Sequence, residues 1–255
     1  MSARPALWLD TGHAPDLNMA RDAALLDACE AGRVGVVLRL FRFSPPGITL
    51  GRAQVPEREL DLARVSADGV PWAVRPTGGR AIWHDEEWTF SLVTPLSSTG
   101  WAERPELAYA RTGRLLADAL QRLGVPATLA PGSPRGVGAP RASVGAAPPC
   151  FASTARHELV VEGRKLAGIA QRVRRETLLQ QGSLLVGGSH VRLADYVAVP
   201  DGARDDLRRA MRAGSADAGA WLGEDRSLSR LGEAIAACWP EAERWSGDEG
   251  ARHLA

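Results

Sequence analysis

Short runs rich in β-branched and aromatic residues recur through the middle of this chain, and they limit its possible folds more than any other feature. The clearest run is VVLRLFRF at residues 36–43. Further strands are predicted at residues 48–50, 72–75, 81–83, 88–93 and 177–186. A hairpin is predicted at residues 158–174, with its turn at Glu162 and Gly163. Strands therefore dominate the middle of the chain.

Helical patterns lie between and after these strands. The strongest covers residues 105–123, where apolar residues repeat at helical spacing and Gly124 follows the end. Others are predicted at residues 17–31, from Pro56 to about Val65, and at residues 205–212 and 227–239, whereas residues 131–149 are predicted to form a long surface loop. This arrangement predicts an α+β class. We expect residues 1–255 to form one domain, with a motif-bearing core at about 35–200 and a helical C-terminal segment at about 200–250.

Composition argues against several classes of function. A formal net charge of +1 does not predict a surface for nucleic acid. Cys29, Cys150 and Cys238 are widely spaced and lack CxxC pairing, which fits a reducing cytoplasm and predicts no metal site. Cys29 and Cys238 lie in predicted helices and are expected to be packing residues. No signal-peptide or membrane-spanning pattern is present, so we expect a soluble cytoplasmic protein without a membrane partner.

Lys165 is the only lysine among 31 basic residues, all the others being arginine. Chance alone explains a single exception about as well as a site that requires lysine does. Such a site would depend on the compact ammonium, since a guanidinium is planar and bulky. Strand alternation would put Lys165, Ala167 and Ile169 on one face. Leu166, Gly168 and Ala170 would lie on the other face. The small residues would leave a slot for an extended apolar substrate, with Lys165 at its head to hold a carbonyl oxygen or a carboxylate.

Two loops contain further candidate residues for binding or catalysis. Gly78 and Gly79 precede His84, and paired glycines let a backbone approach a ligand closely. A plain tight turn and a structural histidine explain the same residues. Cys150 follows two prolines, and a nearby cation would turn its thiol into a nucleophile. An inert thiol is equally consistent with that position.

Three ordered motifs are far more specific together than any one alone. RPTGGRAIWH at residues 75–84, GRKLAG at 163–168 and LQQGSL at 179–184 resemble the lipoate–protein ligase and octanoyltransferase family. The matched segments span about residues 48–186. Within this family, PCF at residues 149–151 ahead of ELVVEGRK at 158–165 is most similar to the cysteine-dependent octanoyl-[acyl carrier protein]:protein octanoyltransferases.

The resemblance implies a central mixed, largely antiparallel sheet flanked by helices, as in biotin ligases and, more distantly, class II aminoacyl-tRNA synthetases. It implies that Cys150 attacks the thioester of octanoyl-acyl carrier protein, while Lys165 favours the thiolate and orients the acyl carbonyl. The octanoyl group would then pass to a lysine of a lipoyl domain or of the glycine cleavage H protein, without a cofactor. The residues expected to bind the acyl chain are Arg75, Thr77, Gly78, Gly79, His84, Gly168 and Ala170.

Three positions depart from the family pattern. Pro76 stands where a polar or basic residue is frequent, Ile169 replaces a small serine, and Gln181 occupies a common histidine position. We expect these changes to affect chain-length preference or acceptor choice.

Other functions fit parts of the pattern. An ATP-dependent lipoate–protein ligase is disfavoured because such ligases commonly carry Gly-Asn after the His-Asp pair, where this chain has Glu86 and Glu87, and often have an accessory C-terminal domain. A transferase between lipoyl carrier proteins would use the same Cys150 and Lys165. A non-catalytic module that binds a lipoyl domain or a carrier protein would use a basic cluster. This cluster is Arg172, Arg174 and Arg175, and a solvated hairpin tip explains it equally well.

Overall fold

The computed structural model describes residues 4–97, 101–130 and 158–254. Cys150 and the loop predicted at residues 131–149 lie outside the described residues. The strands are β1 (Ala6–His13), β2 (Val37–Phe43), β3 (Gly47–Leu50), β4 (Trp72–Val74), β5 (Ile82–His84), β6 (Glu87–Pro95), β7 (Thr128–Leu129), β8 (Leu159–Val161), β9 (Arg164–Lys165), β10 (Ala167–Arg174), β11 (Thr177–Leu185) and β12 (Glu243–Trp245). The helices are α1 (Pro15–Glu30), α2 (Pro56–Glu59), α3 (Leu62–Ala67), α4 (Pro105–Arg122), α5 (Leu193–Tyr196), α6 (Asp201–Gly214), α7 (Gly219–Leu222), α8 (Leu228–Cys238) and α9 (Gly247–Arg252), with a 3₁₀ turn at Ser189–Arg192 before α5.

A mixed sheet runs through the centre of the described part of the chain, in the order β10-β11-β6-β2-β1-β12. The pairs from β10 to β2 are antiparallel, whereas β1 is parallel to both β2 and β12. Helix α1 contributes to the core on one face, and α4 and α8 contribute to the core on the other. Because both faces are covered, β6 and β11 are buried along almost their whole length. The predicted α+β fold with a central mixed sheet is confirmed.

Two smaller sheets flank this centre and carry the motif residues. In one, β3 lies between parallel β4 and antiparallel β5, so that the segment from Arg75 to Ala81 connects its two outer strands. In the other, the order is β7-β8-β9. The start of β10 continues from β9 after Leu166 and crosses to the central sheet. Both small sheets therefore end beside β10.

Sequence patterns located most elements, with Pro15 and Pro105 opening α1 and α4 as expected for proline in a first helical turn. The helix predicted from Pro56 to about Val65 is wrong as a single element. Leu60 is extended and bridges Val197, and the Asp61 side chain then caps a separate helix, α3. The pairing with a segment far along the chain interrupts the local helical pattern.

The segment at residues 164–174 is also not one continuous strand. Leu166 separates β9, which pairs with β8, from β10, which pairs with β11. Strands β1 and β12 were not predicted, and β12 shows that the C-terminal segment is not wholly helical. None of the described helices combines the length and apolar character needed to cross a membrane.

Candidate active site

A small cavity lies where β3, β5 and α1 meet the face of β10 and β11. Its volume is about 30 Å³, room for about two water molecules. The apolar lining residues are Met19, Phe41, Phe43, Ile82, Gly168, Ile169, Ala170 and Gly182. The polar ones are Thr49, Arg75, His84, Thr89, Gln181 and Ser183. The structure therefore brings residues of all three sequence motifs to one cavity.

The segment from Arg75 to Ala81 borders this cavity and is called the glycine loop, after Gly78 and Gly79. The buried Arg75 side chain holds it in place. Its guanidinium donates to the carbonyl oxygen of Gly78 at 2.8 Å and to that of Arg80 at 2.7 Å. It also donates to the carbonyl oxygen of Thr49 at 3.2 Å. The planar fork of an arginine suits several fixed acceptors at once. Arg75 thus joins both ends of the loop to strand β3.

Glycines are required where β3 meets this loop. A Cβ atom on Gly51 would lie 2.0 Å from the carbonyl oxygen of Gly79. Gly79 itself has φ +96°, and a Cβ there would lie 2.6 Å from Nη2 of Arg75. Gly51 was not singled out from the sequence, because the close approach arises only in the folded chain.

We predict that Gly51→Ala lowers the free energy of unfolding by about 1–3 kcal/mol, since the loop backbone must move to relieve the overlap. Urea denaturation measures this change. Gly202→Ala is the matched control, because nothing lies within 4 Å of a Cβ at that helical position. Equal denaturation midpoints for the Gly51 variant and the unaltered protein would contradict the prediction.

A hydrogen-bond cluster centred on Glu87 supports the cavity wall. The carboxylate of Glu87 accepts from His84 Nδ1 at 2.5 Å, from Thr89 Oγ1 at 2.6 Å and from the Ser183 hydroxyl. Burial alone would raise the pKa of Glu87, but His84 and the two hydroxyls outweigh it and hold that pKa below its usual value. Because the ionised carboxylate only accepts, His84 carries its hydrogen on Nδ1, and Nε2 lies 2.6 Å from Thr49 Oγ1.

A second chain of contacts joins the glycine loop to helix α1. The Thr77 hydroxyl donates to Gln181 Oε1 at 2.6 Å, and Gln181 Nε2 donates to Asp22 Oδ2 at 2.5 Å. Asp22 in turn accepts from the fully buried Arg39 at 2.6 Å. No local pattern distinguished Asp22 from the other acidic residues of α1, such as Asp16 and Asp27. Gln181 therefore joins Thr77 to Asp22 through its amide and orients this part of the cavity wall.

Lys165 lies in β9 and does not line the cavity. Its Nζ is 2.8 Å from Oε1 of Glu158, and both side chains are buried. The slot predicted along residues 165–170 is therefore shorter than expected: it begins at Gly168, whereas Ala167 packs in the hydrophobic core. Leu166, between β9 and β10, also lies in the core.

The predicted substrate-binding residues divide into two groups. Arg75, His84, Gly168 and Ala170 line the cavity. The others lie behind its wall, since Thr77 contacts Gln181 and the glycines form the loop held by Arg75. These residues are Thr77, Gly78 and Gly79. Within the described part of the chain, no group of His, Cys, Asp and Glu residues could hold a metal ion.

The basic cluster predicted as a docking surface is partly neutralised. Arg174 pairs with Asp27 and, at 2.7 Å, with Glu30, which also lies 3.6 Å from Arg175. Arg172 donates to the carbonyl oxygen of Pro76 at 3.3 Å. These contacts tie the β10–β11 turn to α1 and to the glycine loop.

Cys29 is a buried packing residue, as predicted. Burial raises the pKa of its thiol to about 12, an effect that Glu30 reinforces and the Thr177 hydrogen bond opposes. A thiol with so little thiolate at neutral pH is a poor nucleophile. Cys238 is half-buried at the end of α8.

We predict that iodoacetamide at about pH 8 leaves Cys29 unmodified in the folded protein, because only a thiolate reacts and little is present below a pKa of about 12. Peptide mass mapping measures the modification. The same reaction in concentrated urea is the control and should label Cys29 fully. Comparable labelling with and without urea would show that the thiol is accessible and ionised in the native state.

Solved structures share this fold. A bi-partite lipoate protein ligase from Thermoplasma acidophilum matches with a TM-score of 0.73 and 20% identity, covering 99% of this chain and 90% of that one. A lipoate-protein ligase A bound with ATP matches with a TM-score of 0.66 and 20% identity, covering 100% and 92%. The fold is therefore that of the lipoate protein ligases.

Sequence relatives define the family. Residues 14–237 match the lipoyl protein ligase A/B catalytic domain. Octanoyltransferase LipM of Kyrpidia tusciae is 35% identical over 226 residues, covering 88% of this chain and 82% of the relative. Octanoyltransferase LipM of Symbiobacterium thermophilum is 36% identical over 241 residues, covering 92% and 85%. The chain belongs to the lipoyl protein ligase A/B catalytic domain family, which confirms the resemblance found in its motifs.

Proposed function

We propose that this protein is an acyltransferase that moves an octanoyl group from octanoyl-acyl carrier protein to a lysine of a lipoyl domain or of the glycine cleavage H protein. The observation that carries the proposal is its identity of about a third with octanoyltransferases over most of both chains. The mainly apolar cavity that joins the three motifs supports it. Residues 1–255 would act as one catalytic domain in the cytoplasm.

The chemistry proceeds in two exchanges. The Cys150 thiolate attacks the thioester carbonyl, its new C–S bond forms, and the carrier thiol leaves with a proton. The acceptor amine, after losing a proton, then attacks the acyl-cysteine, an amide C–N bond forms, and the Cys150 thiol is regenerated. The first exchange replaces one thioester by another and the second makes a more stable amide, so neither step needs ATP.

The cavity residues would hold the acyl chain while Lys165 serves the reacting end. With a volume of about 30 Å³ the cavity is small, and an entering acyl chain would pack best against lining side chains that can adjust to it. Met19 is suited to this, because an unbranched thioether side chain adapts to irregular spaces. His84 and Arg75 are fixed by their own hydrogen bonds and would define the rigid part of the wall.

Intact-protein mass spectrometry tests the proposal. Incubation with octanoyl-acyl carrier protein is expected to add one octanoyl mass that hydroxylamine removes, and a lipoyl domain should then accept the group. Cys150→Ala should abolish the adduct, whereas Cys29→Ala and Cys238→Ala should retain it. An adduct that persists in Cys150→Ala would move the nucleophile elsewhere. Acceptor modification that needs free octanoate and ATP would identify a ligase instead.

A further inference from the structure

The β8–β9 hairpin places an acidic side chain directly beside the only lysine. Its loop is Glu162 and Gly163, with φ +50° and +75°. Two successive residues with positive φ match the right-handed twist of a hairpin and fix its register. Val160 is thereby opposite Lys165, and Leu166 donates its N–H to the carbonyl oxygen of Leu159 at 2.9 Å.

This register determines which residue meets Lys165. Side chains alternate along a strand, so Glu158 and Val160 lie on one face of the hairpin. Lys165 is directly opposite Val160 and shares that face, which makes Glu158 its diagonal neighbour. A slip of one residue would turn Glu158 to the other face.

The resulting ion pair is buried and close. Nζ of Lys165 lies 2.8 Å from Oε1 of Glu158, and their side chains are 4% and 5% exposed. Burying an ammonium is unfavourable unless an anion lies close by. Glu158 supplies that anion. The lysine backbone is fixed as well, because its carbonyl oxygen accepts from the N–H of Ala216 at 2.9 Å.

We propose that Glu158 is a positioning residue that fixes the direction of the Lys165 ammonium for acyl transfer. This inference rests on the proposed function, which assigns Lys165 to the reacting end of the acyl group. An ammonium has three N–H donors, and directing one at Glu158 fixes rotation about the Cε–Nζ bond. This orientation is thereby set before substrate binds, which is how preorganised groups stabilise developing charge.

The composition of the chain provides a direct probe of this pair. Because Lys165 is the only lysine, protein labelled with ¹⁵N-lysine and free of a lysine-containing tag gives a single side-chain ammonium signal in a ¹H–¹⁵N spectrum. We expect that signal to be observed near neutral pH, since burial slows exchange with water. Glu158→Gln should remove it, because an ammonium without its carboxylate acceptor reorients and exchanges faster with water. The same signal in both proteins would overturn the inference without reference to activity.

Kinetics provides the second test. Glu158→Gln is expected to slow acylation of the enzyme by octanoyl-acyl carrier protein about 100-fold. The change in KM should be smaller, because the contacts with the carrier protein remain and only the ammonium is misplaced. Glu158→Asp keeps the carboxylate and should recover part of the rate. Glu162→Gln is the matched control, an exposed carboxylate on the same hairpin that pairs loosely with Arg164 at 3.8 Å.

The outcomes separate this inference from the proposed function. If the unaltered protein forms no octanoyl adduct, the proposed function fails and this role of Glu158 fails with it. If the unaltered protein and Glu158→Gln acylate at equal rates, only the role of Glu158 fails. Circular dichroism shows whether each variant is folded. Should Glu158→Gln not fold, Glu158→Asp decides, and a folded Asp variant that lacks the ammonium signal yet acylates at the unaltered rate would overturn the role.

Discussion

Lys165→Arg is expected to give a folded protein whose octanoyl transfer rate is about 100-fold lower. The Lys165 side chain is buried against Glu158, so a planar guanidinium with five donors must either displace neighbouring groups or point elsewhere. Its charge would be kept, so the loss would report geometry rather than sign. The measurement is single-turnover acylation by octanoyl-acyl carrier protein, with circular dichroism to confirm folding.

Arg175→Lys is the matched control for this prediction. It makes the reciprocal exchange between the two cations at a side chain that is 83% exposed. Its rate should stay within about twofold of the unaltered protein. A near-normal rate for Lys165→Arg would instead mean that the lone lysine reflects compositional drift alone.

Arg39→Met is expected to lower the free energy of unfolding by about 3–5 kcal/mol. Arg39 is completely buried and donates to Asp10 at 2.8 Å and to Asp22 at 2.6 Å. Its removal leaves two carboxylates in the core without their main cation, and replacement by a similar apolar volume cannot neutralise them. Urea denaturation measures the loss. Because Asp22 also orients Gln181, the cavity wall should loosen in the same variant.

The pH dependence of this variant gives a further check. Burial would raise the pKa of Asp10, but Arg39, Arg21 and the Thr11 N–H outweigh it and hold that pKa below 3.8. In the unaltered protein the ionised Asp10 carboxylate stabilises the fold at pH values above the ordinary pKa of an aspartate. This stabilisation is lost as the pH falls through the lowered pKa of Asp10. Without Arg39 the Asp10 carboxyl protonates more readily, so the destabilisation should shrink as the pH falls from neutral towards the acidic range.

An exposed ion pair provides the control for Arg39→Met. Arg244 and Glu233 are 58% and 69% exposed at 2.9 Å, and Arg244→Met should change the free energy of unfolding by less than about 1 kcal/mol. Equal effects at the two sites would show that burial of the Arg39 network contributes nothing extra.

The elements predicted well are those whose signals are local. The apolar run of β2 and the helical repeat of α4 are complete within their own residues, and Pro105 and Gly124 mark the ends of α4. β1 and β12 were missed because their own residues, ALWLDTGH and ERW, contain no run of β-branched side chains. The helix predicted from Pro56 was broken by a bridge to Val197, a contact that no local pattern contains.

The same distinction applies to the candidate site. Arg75, His84 and Gly168 were found because each lies in a short family motif, and Ala170 follows the second motif by two residues. All four line the cavity. Glu87 lies just outside such a motif and gains its role only when strands β5, β6 and β11 bring three donors to its carboxylate. Asp22 and Gly51 likewise depend on distant partners. The roles proposed for Cys150 and Lys165 in catalysis stay predictions.

The parallel pairing of β1 with β12 delays completion of the central sheet while the chain is being synthesised. Ala6 pairs with Glu243, so β1 lacks this neighbour in the central sheet until residue 243 has been synthesised. Until then β1 presents unpaired backbone groups to the surrounding solution. Chains released before residue 243 would keep the unpaired edge of β1. Contacts between residues so far apart in sequence also slow folding. Chains that terminate before residue 243 are therefore expected to self-associate rather than to form a slightly shortened enzyme.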